Sequence, residues 1–88
     1  MPDAQEMYTS VANLVAESSD GVMTAADATR PGHTLVELGL SSLAYLRLID
    51  AIENRYGVYI DLEEAAGKLG TVEQIVDYMV SQGAVSGA

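Results

Sequence analysis

Leu38-Gly39-Leu40-Ser41-Ser42-Leu43-Ala44-Tyr45-Leu46-Arg47-Leu48-Ile49-Asp50-Ala51-Ile52-Glu53-Asn54-Arg55-Tyr56-Gly57 is the stretch on which the fold of this 88-residue chain turns. Leu43, Leu46, Ile49 (or Tyr45) and Ile52 recur at three- and four-residue steps. That spacing lays side chains along one face of an α-helix. Tyr56 continues the face, and Gly57 supplies a left-handed stop. The pattern predicts a helix from about Ser42 to Arg55, with a glycine turn delivering two hydroxyls to its start.

Working outward, Asp3 to about Glu17 reads as a helix. Asp3 is its cap, Glu6 follows three residues on, and Met7, Val11, Leu14 and Val15 form one apolar stripe. Ser18-Ser19-Asp20-Gly21 ends it. Residues 18 to 33 form a long connection, weakly helical at Thr24 to Ala28 and carrying turn chemistry at Arg30-Pro31-Gly32. Val22 and Met23 are expected to tuck it onto the core. Thr34-Leu35-Val36-Glu37 has the capping-box pattern, so one helical turn is expected at Thr34 to Leu38, ended by Gly39. Downstream, Val58-Tyr59-Ile60 has no partner strand and reads as an extended connection that plugs Ile60 into the core. Asp61 to about Gly67 reads as a short helix, with Glu63 and Glu64 complementing the dipole in its first turn. Thr71-Val72-Glu73-Gln74 is a second capping box. It opens a last helix to about Ser81, with Val72, Ile75, Val76 and Met79 inward. The tail, Gly83 to Ala88, is small and polar and is expected to be disordered. The plan is all-α. It is a small four-helix bundle in one domain, 1–88, with three longer helices, a short third helix and a long first loop.

Composition narrows the function. Thirteen acids against four bases give a net charge of -9, which repels phosphate backbones and anionic lipid surfaces. Nucleic-acid and membrane partners are not expected. Proteins with basic patches are, although the same acidity also serves solubility. Without cysteine there is no disulfide framework, thiolate ligand or cysteine nucleophile. No run approaches the ~18 apolar residues of a membrane span. The N-terminus lacks a signal-peptide pattern, so the chain reads as cytosolic.

Few residues offer chemistry. His33 is the only histidine, and its plain reading is a solvated loop residue. A dyad of His33 with Ser42 is conceivable but has no motif behind it. The acids are scattered without metal-ligand spacing. What remains is the pair Ser41-Ser42. Ser41 reads plainly as an N-cap. Ser42, at the first helical position, would place a phosphate ester at the positive end of the helix dipole, beside unpaired N–H groups. The spacing alone leaves both readings open.

Over nearly its whole length the chain resembles the acyl carrier and peptidyl carrier protein family. The family signature is Leu-Gly-x-Asp-Ser-Leu, and here Leu38-Gly39-Leu40-Ser41-Ser42-Leu43 stands in its place. The likeness continues through Glu53-Asn54-Arg55-Tyr56-Gly57, Ile60, Glu63-Glu64-Ala65, Thr71-Val72 and Ile75-Val76-Asp77-Tyr78-Met79. The resemblance implies a non-catalytic carrier. A phosphopantetheinyl transferase would attach 4'-phosphopantetheine from coenzyme A to Ser42. The arm's thiol would hold an acyl, polyketide or aminoacyl group while loading, condensing and tailoring enzymes work on it. It also implies partner docking around Leu40, Ser41, Leu43, Tyr45, Leu46 and Arg47, although the helical spacing of Leu46 with Leu43 favours reading Leu46 as core.

The chain departs from the family pattern at Ser41, where the usual residue is aspartate. Its second main helix is also less acidic than in fatty-acid carriers, with Tyr45, Arg47 and Arg55 beside Asp50 and Glu53. That points to a specialised, secondary-metabolic pathway. Starting at Met1 and ending soon after the last helix, the chain reads as a free-standing, monomeric carrier. Two other readings stay open. One is an unmodified carrier-fold interaction or regulatory module. The other is a small hydrolase or transferase using Ser42 with His33.

Overall fold

The computed structural model describes residues 4–65 and 67–83. Four helices make up its regular structure: α1 (Ala4–Ser18), α2 (Ala25–Ala28), α3 (Ser42–Tyr56) and α4 (Val72–Ser81). The described residues contain no strand; Val58 to Ile60 form an irregular connection, and Ile60 is buried in the core as expected. α1 packs against each of the other three helices. Met7, Val11 and Val15 carry that contact from its inner stripe, with Ala12 beside them. From α4, Val72, Ile75, Val76 and Met79 are all buried. The cap assigned to Asp3 and the tail from residue 84 onward lie outside the described residues.

α3 has the predicted span but a rotated inner face. Its buried residues are Ala44, Leu48, Ile49, Ile52 and Tyr56, while Leu43 and Leu46 point to solvent. Leu46 is therefore not core. Both faces satisfy helical spacing near the start of the helix. The packing partner decides, because the 48–52–56 row carries the larger continuous apolar surface toward α1. Val22, expected on the core, is exposed as well, and Met23 alone anchors that segment. Ser19 is the reason. Its buried hydroxyl donates to the Ala16 carbonyl (2.8 Å) and accepts from the Met23 N–H (3.2 Å). Asp20 and Gly21 then turn the chain with φ of 56° and 86°, which leaves Val22 outside.

The four-helix plan holds, but the short helix sits elsewhere. It is α2, inside the first connection, closed by reciprocal bonds between Thr24 and Asp27. Asp61 to Gly67 begins as a helix would. Asp61 Oδ1 accepts from the Glu63 and Glu64 N–H groups (3.0 and 3.2 Å), and Ala65 N–H bonds the Asp61 carbonyl (2.9 Å). Among the described residues it forms turns and no helix. Gly67, with φ of 80°, stops it before a second turn could offset the unfavourable first one. Ala65 and Leu69 still reach the core.

Tyr56 carries a local flaw. Its ring is buried, and its hydroxyl has no hydrogen-bond partner among the described residues. An unmet buried hydroxyl costs about 1–3 kcal/mol. Tyr56→Phe is expected to raise stability by about 1 kcal/mol, read as a higher urea midpoint at unchanged slope. A lower midpoint would mean that the hydroxyl is paired in solution.

Candidate functional site

The start of α3 is set by the turn before it. Thr34 N–H donates to Glu37 Oε1 (2.8 Å), and Glu37 N–H donates to Thr34 Oγ1 (3.1 Å), which closes the expected capping box. Leu35 is buried, and its N–H bonds the Gly70 carbonyl (2.7 Å). This joins the connection before α3 to the one before α4. The approach is close: a Cβ on Gly70 would lie 3.1 Å from Gln74 Oε1 and 3.2 Å from Thr34 Cγ2. Gly39, at φ of 110°, reverses the chain, and Leu40 N–H returns to the Leu35 carbonyl (3.0 Å).

The two serines that follow have different surroundings. Ser41 is the N-cap: its hydroxyl accepts from Ala44 N–H (3.1 Å) and its carbonyl from Tyr45 N–H (2.9 Å). Ser42 is exposed, and its side chain makes no hydrogen bond among the described residues. It stands at the positive end of a fifteen-residue helix, whose first amides have no intrahelical acceptor. An exposed hydroxyl there suits a phosphodiester, because the negative charge meets the dipole and enzymes can reach the oxygen.

The other expected site residues divide. Leu43, Leu46 and Arg47 are exposed on one side of α3. Arg47 pairs with Asp20 at 3.6 Å. Leu40 is only 3% exposed and belongs to the core, not to a docking face. Tyr45 is half-buried, and its hydroxyl donates to the Leu69 carbonyl at 2.8 Å. Burial pushes its phenol pKa up. Its ring borders a groove of about 520 Å³ with Val36, Leu62 and Leu69. His33 lines a separate cleft of about 180 Å³ with Tyr8, Arg30 and Glu73. It makes no hydrogen bond with Ser42, so the dyad is not assembled. No cluster of three or more His, Asp or Glu suited to a metal occurs among the described residues. The Asp20–Arg47 pair and the exposure of Val22 left no trace in the sequence pattern, because both depend on the path of the first connection.

The turn that presents Ser42 is closed by a carboxyl whose ionised form the fold favours. Glu37 lies below the usual carboxylate range, chiefly because the Thr34 N–H bonds it, then through the Thr34 hydroxyl, with a smaller pull from His33. A carboxyl depressed by folding contributes stability that is present above its unfolded value and lost as pH falls through the folded one. Thr34 N–H is therefore expected to lose protection as pH falls below the ordinary carboxylate range, read by amide exchange across an acid series. Glu37→Gln should flatten that dependence. An unchanged dependence in Glu37→Gln would assign it to another group.

Comparison with known proteins identifies the family. Residues 21–79 match the family described as "Phosphopantetheine attachment site". The chain is 34% identical over 74 residues to "Acyl carrier protein AcpXL" of Rhizobium etli, which covers 78% of each chain. It is 44% identical over 46 residues to an "Acyl carrier protein" of Chlorobium phaeovibrioides, covering 52% of this chain and 58% of that one. The same figures hold for one of Chlorobium luteolum. No helix of the described residues is long and apolar enough to cross a membrane. Over two thirds of its length this is the sequence of a protein whose part is to bear a covalent 4'-phosphopantetheine and hold cargo without catalysing its conversion. The chain belongs to the phosphopantetheine-dependent carrier protein family.

Proposed function

We propose that Ser42 is the attachment residue, and that the protein carries an acyl, polyketide or aminoacyl group between the enzymes of a cytoplasmic, specialised biosynthetic pathway. The observation that carries the assignment is the division of labour between the two serines. The Ser41 hydroxyl is engaged as a helix cap, whereas the Ser42 hydroxyl is exposed and unengaged at the positive end of α3. When bound, the group supplies a flexible arm ending in a thiol, on which cargo is held as a thioester. The chain's own residues do the rest. The α3 N-terminus steadies the phosphodiester, and Leu43, Leu46 and Arg47, with Ser41 and Tyr45 at the margin, form a small face for transient docking. Tethering keeps the cargo at high local concentration beside each docked enzyme.

The partners are a phosphopantetheinyl transferase and the loading, condensing and tailoring enzymes of the pathway, each meeting a carrier monomer. The test is intact-protein mass after incubation with coenzyme A and a broad-specificity phosphopantetheinyl transferase. A gain of one phosphopantetheine is expected. No gain would overturn the Ser42 assignment and favour an unmodified interaction module.

A further inference from the structure

Any enzyme that reacts at the Ser42 hydroxyl must cover what lies beside it. This holds most strictly for the transferase, which works at the oxygen itself and not at the end of a long arm. The neighbours include a segment that is distant in sequence. Val22 Cγ1 lies 4.0 Å from where a Cβ on Gly39 would stand. Two residues earlier, Asp20 Oδ2 pairs with Arg47 at 3.6 Å. Gly39 and Arg47 flank Leu43, four residues to either side. Residues 20–22 thus pass beside the start of α3, with Val22 next to Gly39 and Asp20 next to Arg47, and Leu43 is the helix residue midway between those two positions.

Three exposed apolar side chains therefore flank the start of α3: Val22 at 67% exposure, Leu43 at 60% and Leu46 at 53%. The surface is also locally neutral. From Leu38 to Leu46 no residue carries a charge, and Arg47 and Asp20 offset one another in a chain of net charge -9. A partner seated here meets apolar surface rather than an acidic stripe. Long-range attraction brings it near, and burial of these side chains decides whether it stays.

We infer that Val22, from the first connection, completes the docking face and is a specificity-determining contact for the transferase, whose facing surface is apolar. The inference rests on the Ser42 assignment.

The test is steady-state kinetics of phosphopantetheine transfer from coenzyme A by a broad-specificity transferase, followed by intact-protein mass. Val22→Ser is expected to raise KM about fivefold with kcat held within about twofold, the size of a modest apolar contact at an interface. Val22 is exposed, so its Tm should not move. Val22→Ile, which keeps the apolar surface, should retain wild-type KM. Tyr59→Ser is the control. Tyr59 is 73% exposed and follows the C-terminal end of α3, a helix about 22 Å long by the rise of its fifteen residues. It should behave as wild type. A wild-type KM in Val22→Ser would overturn the inference. So would an equal rise in Tyr59→Ser, or a KM rise that appears only with a fall in Tm. A wild type that gains no mass overturns the Ser42 assignment itself. Modified wild type with an indifferent Val22→Ser overturns the docking inference alone.

Discussion

Ser42→Ala is expected to abolish the mass gain of one phosphopantetheine completely, while Ser41→Ala keeps it. The two serines are adjacent, so sequence position alone could not promise this contrast. The geometry does. Removing the Ser42 hydroxyl removes the exposed oxygen at the helix start. Removing the Ser41 hydroxyl removes the acceptor for Ala44 N–H, which costs about 1 kcal/mol of helix stability. That loss leaves the protein folded and the attachment oxygen in place. The measurement is endpoint intact mass for both variants after exhaustive incubation. The reverse result, with gain in Ser42→Ala and none in Ser41→Ala, would shift the attachment site by one residue and leave α3 capped by a modified serine.

Ile52→Ala is expected to cost about 3–4 kcal/mol, and Leu46→Ala less than about 0.5 kcal/mol. Ile52 has no exposed surface, so truncation leaves a cavity among the residues of α3 and its neighbours. A domain of this length is stable by only about 4–13 kcal/mol, so the Ile52 variant surrenders a large share. Leu46, half exposed, loses little packing when truncated. Urea unfolding of both variants measures the contrast. Equal losses would restore the inner face that the periodicity suggested.

That contrast shows how far the sequence could be read. The spans of α1, α3 and α4 follow from apolar periodicity and from Ser41, Gly57 and Thr71 at their ends, signals local to each helix. Which face of α3 turns inward was not local. Leu43 and Leu46 satisfy the same spacing as Ile49 and Ile52, and only packing on α1 separates them. The short helix was misplaced for a related reason. Asp61 supplies a cap as competent as that of Thr24, but Gly67 ends the segment too soon. The proposal of Ser42 could be made from the sequence because its motif lies within six consecutive residues. Val22 was not, because an apolar residue in a long connection reads as buried until Ser19 fixes the turn that exposes it.

The bond between Leu35 N–H and the Gly70 carbonyl also bears on how the protein matures. It spans more than a third of the chain, and the bond from Tyr45 to Leu69 reinforces it. A chain still being synthesised, with its last helix inside the ribosome, has the serine but lacks the support that shapes the turn around it. The turn before Ser42 therefore reaches its final shape only once the connection before α4 is in place to hold it.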